Sequence, residues 1–333
     1  MGNMRTVTLE EHLSFPELVN LIPKEALANH SFGPPGAPNF MDQLSPKLVD
    51  ITGERLSSMD KNDISMQVLS VSGAGADLLS AADSPAFAKK YNDAVAERIA
   101  AHPSRFAAFA HLPMTAPEAA ANELERCIKV LGFKGALING MTQDLFLDHP
   151  KFAPILKKAE ELQVPIYLHP ALPPKGVADI YYSGLPKAGG MLLSIAGWGW
   201  HSETALHTLR LIVSGTFDRY PRLQFIIGHM GEMLPMMMVR CDNMFKPNQA
   251  AANQRSIIQT LHEQVHITTS GIFTQPPLTV AIETFGIDNI MFSIDYPYSS
   301  NEQGRAFLNS LTLPADQIEK LAHGNADKLL KLA

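Results

Sequence analysis

Cysteine is scarce in this chain. Only Cys127 and Cys241 occur among 333 residues, and no C-x-x-C is present. Two such thiols do not make a disulfide framework, so a reduced, cytoplasmic setting is expected. Long apolar runs are missing too: no stretch approaches the ~20 residues of a membrane-spanning helix, and the first residues lack a signal-peptide pattern. Positive charge is not in excess. The formal net charge is −6, which argues against a nucleic-acid surface. Neither a G-x-S-x-G nucleophile elbow nor a glycine-rich phosphate loop occurs, so a Ser/His/Asp hydrolase does not fit. There is no composition break and no internal repeat, so residues 1–333 read as one domain.

What is present is an alternation of short apolar segments with helical stretches. The apolar segments are 5–12, 66–71, 106–112, 133–139, 164–169, 223–227, 265–270 and 289–295. Helices are expected over 48–62, 84–101, 116–130, 151–162, 202–214, 277–285, 301–310 and 315–332, with another opened by Gly231. Strand–helix alternation gives a parallel sheet, and eight units close into a (β/α)8 TIM barrel. Barrels of this kind reach this length as a single domain.

Four of the strands end in a titratable side chain: His12, His169, His229 and Asp295. The C-terminal ends of barrel strands are where this architecture keeps its chemistry. Side chains alternate along a strand, so Glu10 and His12 share a face with Thr6 and Thr8, looking into the barrel. Glu11 points the other way, with Val7 and Leu9 free to pack under the outer helices. An isolated strand-end histidine is more often a packing residue. Together, Glu10, His12, His169 and Asp295 offer two imidazoles and two carboxylates, a donor set for one divalent metal ion, Zn or Mn. His229 is a fifth ligand or a general acid/base beside it. Glu232 stands one helical turn on and can orient that imidazole.

Two inserts flank this constellation. Residues 13–47 are irregular, with six prolines, Phe15, Phe32 and Phe40 and no arginine; they read as a lid beside the barrel mouth. Residues 171–200 form a long mouth loop carrying Tyr181, Tyr182, Trp198 and Trp200. Its aromatics suit either the walls of a ligand pocket or a packing or subunit contact.

With these motifs in hand, the chain resembles the amidohydrolase superfamily, in its branch of non-oxidative decarboxylases that includes aminocarboxymuconate-semialdehyde decarboxylase. The E-x-H of L-E-E-H, then Y-L-H-P, I-G-H-M-G-E-x-L-P, T-T-S-G, F-S-x-D-Y-P and G-N-A-x-x-L occur in that family's order across nearly the whole chain. The hydrolases of the superfamily usually open with H-x-H and often carry a carbamylated lysine on strand four. Here strand one has E-x-H and strand four ends in Asn139. That departure favours phenolic-acid decarboxylases, of which the γ-resorcylate and 2,3-dihydroxybenzoate types are the closest look-alikes. Some 2,3-dihydroxybenzoate and salicylate enzymes have E-E-A in place of E-E-H, so His12 places the chain nearer the γ-resorcylate type. The resemblance implies loss of CO2 from a small aromatic carboxylic acid with an ortho hydroxyl. Asp295, His229 and Glu232 would be catalytic, with Asn139 and Arg240 as substrate contacts; Arg240 reads equally well as a solvated helix residue. It also implies a homodimer or homotetramer. A metal-dependent hydrolase of an amide, ester or lactone is the competing enzyme reading, and an inactive metal-dependent binding barrel the non-enzymatic one.

Overall fold

The computed structural model describes residues 4–29, 40–73, 75–249 and 251–332. Among these, the strands are β1 (Val7–Leu13), β2 (Met66–Val71), β3 (Phe106–Ala108), β4 (Ala110–His111), β5 (Ala136–Asn139), β6 (Ile166–His169), β7 (Phe225–Ile227), β8 (Val265–Thr268) and β9 (Ile290–Met291). Hydrogen bonding runs β1-β2-β3 and then β4 through β9 in order, with every pairing parallel. The expected third strand is divided at Phe109. Its first half pairs with β2, and its second half turns to β5. Phe109 N donates to Leu69 O at 2.9 Å and Ala110 N to Gly135 O at 2.8 Å, which keeps the wall continuous across the break. Eight staves therefore stand as the sequence implies.

One strand departs from simple alternation. β1 and β2 shift register between Thr8 and Glu11, so β1 absorbs an extra residue. The shift reverses the facing expected for the start of β1. Val7 and Leu9 pack inside the barrel with Val68, Phe109, Tyr167 and Ile226. Thr6 faces outward, where its hydroxyl accepts from Arg305 on the helix Asn301–Ser310 at 2.9 Å. The bulge itself turns Glu10 to the mouth, and His12 follows beyond it.

The seam between the first and last staves is closed by side chains as well as backbone. His12 N donates to Tyr296 O at 2.7 Å. The fully buried Glu11 carboxylate accepts from Ser293 Oγ (3.2 Å), Ile294 N (3.0 Å) and Tyr296 N (3.0 Å). Glu11 thus grips the backbone on both sides of Asp295. Replacing it by alanine strands two buried N–H donors, each costing about 1–3 kcal/mol. We expect Glu11→Ala to lose about 3 kcal/mol in chemical denaturation; a loss below about 1 kcal/mol would show that water or repacking replaces the carboxylate.

Neither insert is structureless. Residues 13–47 contain the helices Pro16–Val19, Lys24–Asn29 and most of Phe40–Val49, while Phe32 lies outside the described residues. Phe15, Leu18 and Ile22 are buried in the main core, so the start of this insert belongs to the barrel wall. Residues 171–200 fold into the helices Lys175–Tyr181 and Gly189–Ser194 and lead into Gly199–Val213. Tyr182 is buried, whereas Tyr181 and Trp198 face solvent with Ile180, Leu185, Leu192 and Leu193.

Candidate metal-centred active site

Strand β1 brings Glu10 and His12 to the mouth, both essentially sealed from solvent. The His12 carbonyl accepts from the buried Arg55, whose guanidinium lies 4.7 Å from the centre of the Tyr296 ring. The carboxylate of Glu10 is fixed from below by Tyr167, two residues before His169 on the same face of β6. Tyr167 Oη hydrogen-bonds Glu10 Oε2 and lies 2.9 Å from Thr268 Oγ1. Gly228 makes room for this carboxylate: a Cβ there would stand 2.6 Å from Glu10 Oε2.

His169 ends β6, in register with Asn139 at the end of β5. His169 Nδ1 donates to Pro170 O at 2.9 Å, which directs Nε2 to Glu10 Oε1 at 3.2 Å. His12 Nε2 stands 3.2 Å from Asp295 Oδ1, while its Nδ1 lies 3.3 Å from Ser70 Oγ. His229 Nε2 faces Glu10 Oε1 at 3.7 Å and Asp295 Oδ2 at 3.8 Å. Two overlapping triads result, Glu10–His12–His169 and Glu10–His229–Asp295. Within each, the candidate ligand atoms lie within 4.8 Å of one another. All four residues expected to hold a metal are therefore gathered at one place, with His229 beside them.

The donor set fits a cation on its own chemistry. Glu10 Oε1 and His12 Nε2 are both buried without a hydrogen-bond partner, and such groups are costly to leave unpaired. Burial lowers the pKa of His12, which favours the neutral imidazole that a metal requires. Burial would raise the pKa of Glu10, but the nearby charges, that of His229 first and then those of His169 and His12, outweigh it, leaving the carboxyl well below its usual range.

His229 and Glu232 do meet, although not through a helical turn. The helix begins only at Leu234, with Pro235 in its first turn. Residues 229 to 233 instead form a left-handed turn, with φ of 46°, 55°, 83°, 52° and 67°. Gly231 is the one member for which that region is free of strain. The turn aims both side chains inward, so that His229 Nδ1 donates to Glu232 Oε1 at 2.7 Å. Burial lowers the pKa of His229, but the carboxylates of Glu10 and Glu232 outweigh it and hold it well above the ordinary value.

Sequence reasoning missed His201. It lies in the helix Gly199–Val213, and its Nδ1 donates to the second oxygen of Glu232 at 2.6 Å. A lone imidazole at the edge of the mouth loop carried no signal of this. Tyr298 was also missed. Its ring packs 5.5 Å from that of His12, and its hydroxyl lies 2.5 Å from Ser72 Oγ. Arg240 is exposed on the helix Leu234–Met244 and forms no ion pair among the described residues.

Known proteins resemble this chain along nearly its whole length. The Amidohydrolase family matches residues 45–332. The chain belongs to that family. As an amidohydrolase it is 37% identical to the gamma-resorcylate decarboxylase of Rhizobium radiobacter, covering 98% of both chains. Its fold matches a crystal structure of 2,6-dihydroxybenzoate decarboxylase in complex with 2,6-dihydroxybenzoate, with a TM-score of 0.88 and 36% identity, covering 99% of this chain and 100% of that one. It also matches a dihydroxybenzoic acid decarboxylase from Polaromonas holding manganese and the inhibitor 2-nitroresorcinol. There the TM-score is 0.86 and the identity 34%, covering 99% of this chain and 97% of the other.

Proposed function

We propose that this amidohydrolase removes CO2 without oxidation from a small aromatic acid with a hydroxyl ortho to the carboxylate, a dihydroxybenzoate such as γ-resorcylate or 2,3-dihydroxybenzoate. The observation that carries the reading is the convergence of Glu10, His12, His169 and Asp295, with two unpartnered buried ligand atoms, in a chain related along its length to such decarboxylases. Those four residues would hold one divalent ion, Mn or Zn by the chemistry of the donors, and the Polaromonas relative holds manganese. When bound, such an ion supplies positive charge that stabilises negative charge on the acid's oxygens.

The remaining work falls to side chains. Decarboxylation forms a C–H bond at the ring carbon that bears the carboxylate and breaks the C–C bond to it. The electron pair of that bond returns to the ring as aromaticity is restored. Asp295 takes the phenolic proton on binding and passes it to this carbon. The product regains a proton from solvent, so one proton is consumed per carboxylate turned over. His229, held by Glu232, hydrogen-bonds the ring hydroxyl. Asn139, in register with His169 at the mouth, is the proposed substrate contact, and Tyr298 stands next to His12.

The test is metal analysis of the purified protein coupled to CO2 release over a panel of hydroxybenzoates, amides, esters and lactones. We expect CO2 from γ-resorcylate or 2,3-dihydroxybenzoate and little or none from 4-hydroxybenzoate, which lacks the ortho oxygen. Hydrolysis of an amide, ester or lactone without CO2 release would establish the competing reading.

The assembly proposed for this enzyme is a homodimer or homotetramer. On the helix Leu234–Met244, Met236 is 74% and Val239 62% exposed, beside Met237 and Met244. Trp198, Ile180 and Leu192 add apolar surface around the mouth loop. Exposed apolar side chains in such number suit a partner copy, and light scattering of Val239→Lys against the parent tests this. Both cysteines are free, and no described helix is long and apolar enough to cross a membrane. A cytoplasmic location is proposed on the first of these.

A further inference from the structure

We propose that His201 is a positioning residue for the reaction, acting through Glu232 on His229; the proposal rests on the decarboxylase reading. The Glu232 carboxylate is buried, and each oxygen accepts from a different imidazole. His229 Nδ1 serves Oε1 at 2.7 Å, and His201 Nδ1 serves Oε2 at 2.6 Å. The other nitrogen of His201 donates to Ala196 O at 3.0 Å. Both ring nitrogens of His201 therefore face acceptor oxygens, one on the mouth loop and one behind the catalytic imidazole.

The local backbone explains why Glu232 needs this second anchor. His229, Met230, Glu232 and Met233 are non-glycine residues at positive φ, and such conformations persist only where the surroundings hold them. His201 reaches the turn from a separate element, the helix Gly199–Val213. Its side chain is 18% exposed, while that of Glu232 is fully buried. Without His201, Oε2 becomes a buried acceptor with no donor, and the carboxylate is free to rotate away from His229. His229 Nδ1 then loses its anchor, and Nε2 loses its aim at Glu10 Oε1 and Asp295 Oδ2. None of the four proposed metal-holding residues is hydrogen-bonded to His201, so metal content is expected to be unaffected.

Isosteric amides separate this role from a merely structural tie. The amide nitrogen of asparagine falls near imidazole Nδ1, and that of glutamine near Nε2. His201→Asn thus keeps the donor to Glu232 and drops Ala196, His201→Gln does the reverse, and His201→Ala drops both. With the metal-loaded enzyme and γ-resorcylate, we expect His201→Ala and His201→Gln to lose about 10–100-fold in kcat, with KM and bound metal near the parent. His201→Asn should remain near the parent. A second readout needs no turnover: the hydrogen-bonded Nδ1–H proton resonance of His229 should persist in the Asn variant and broaden or vanish in the Ala and Gln variants. Equal kcat losses for Asn and Gln, or retention by Gln alone, would overturn the proposal, as would an unchanged resonance in His201→Ala. If the parent releases no CO2 from any ortho-hydroxy acid, the decarboxylase reading fails, and the resonance still decides whether His201 holds the dyad.

Discussion

Asparagine in place of Asp295 should abolish most turnover while leaving the barrel intact. Asp295 follows β9 with φ of 73°, a region that asparagine tolerates better than most residues. Its backbone is held independently: Glu11 grips Ile294 N and Tyr296 N, and Ser299 N donates to Asp295 O at 2.9 Å. The substitution therefore removes the proposed proton carrier and one anionic oxygen without disturbing the turn. A general acid–base group is typically worth about 10²–10⁴ in rate, and Asp295 is assigned a share of metal binding as well. We expect kcat to fall by at least ~10³, at the upper part of that range, with part of the metal retained. His229→Ala should fall within about 10²–10⁴ and keep more metal. The deciding comparison is turnover per bound metal in the two variants. If Asp295→Asn decarboxylates nearly as fast as the parent, the proton comes from elsewhere, and His229 is the next candidate.

The strand-end residues were legible because their signal is local. A buried apolar run followed by a titratable residue names both the strand and its functional end, so Glu10, His12, His169 and Asp295 could be grouped before any coordinates. Barrel closure then did the remaining work, placing His12 Nε2 beside Asp295 Oδ1 across the seam. Errors arose where backbone conformation departs from regular periods. The bulge between Thr8 and Glu11 reversed the facing of Val7 and Leu9, and no residue type in V-T-L-E-E-H announces it. The left-handed turn at 229–233 displaced Glu232 from the helix expected to carry it. A single glycine, Gly231, gave no sign that four neighbours would share its conformation. His201 was illegible for a different reason. Its partner lies 31 positions away on another element, and such a contact exists only once both elements are packed.

Metal removal should cost both activity and stability, and the second effect tests the ligand set without a substrate. Glu10 Oε1 and His12 Nε2 are buried with no hydrogen-bond partner among the described residues, so a bound ion would satisfy groups that burial otherwise penalises. A ligand present at 1,000 times its Kd stabilises the folded state by about 4 kcal/mol. The unfolding entropy of a chain of this size is ~0.7 kcal/mol/K at the midpoint. Their ratio gives an expected rise in Tm of roughly 6 °C when Mn or Zn is restored to chelator-treated protein. The rise should shrink as pH falls, because ligating imidazoles and carboxylates must be deprotonated. His12→Ala and His169→Ala should each remove most of the shift and the bound metal together. His229→Ala should retain most of it, since Glu232 ties Nδ1 of that imidazole to the 229–233 turn rather than to the four proposed ligands. If His229→Ala loses the shift and His12→Ala keeps it, the ion belongs to the Glu10–His229–Asp295 triad instead. His229 would then be a ligand, and the proton chemistry would rest on Asp295 alone.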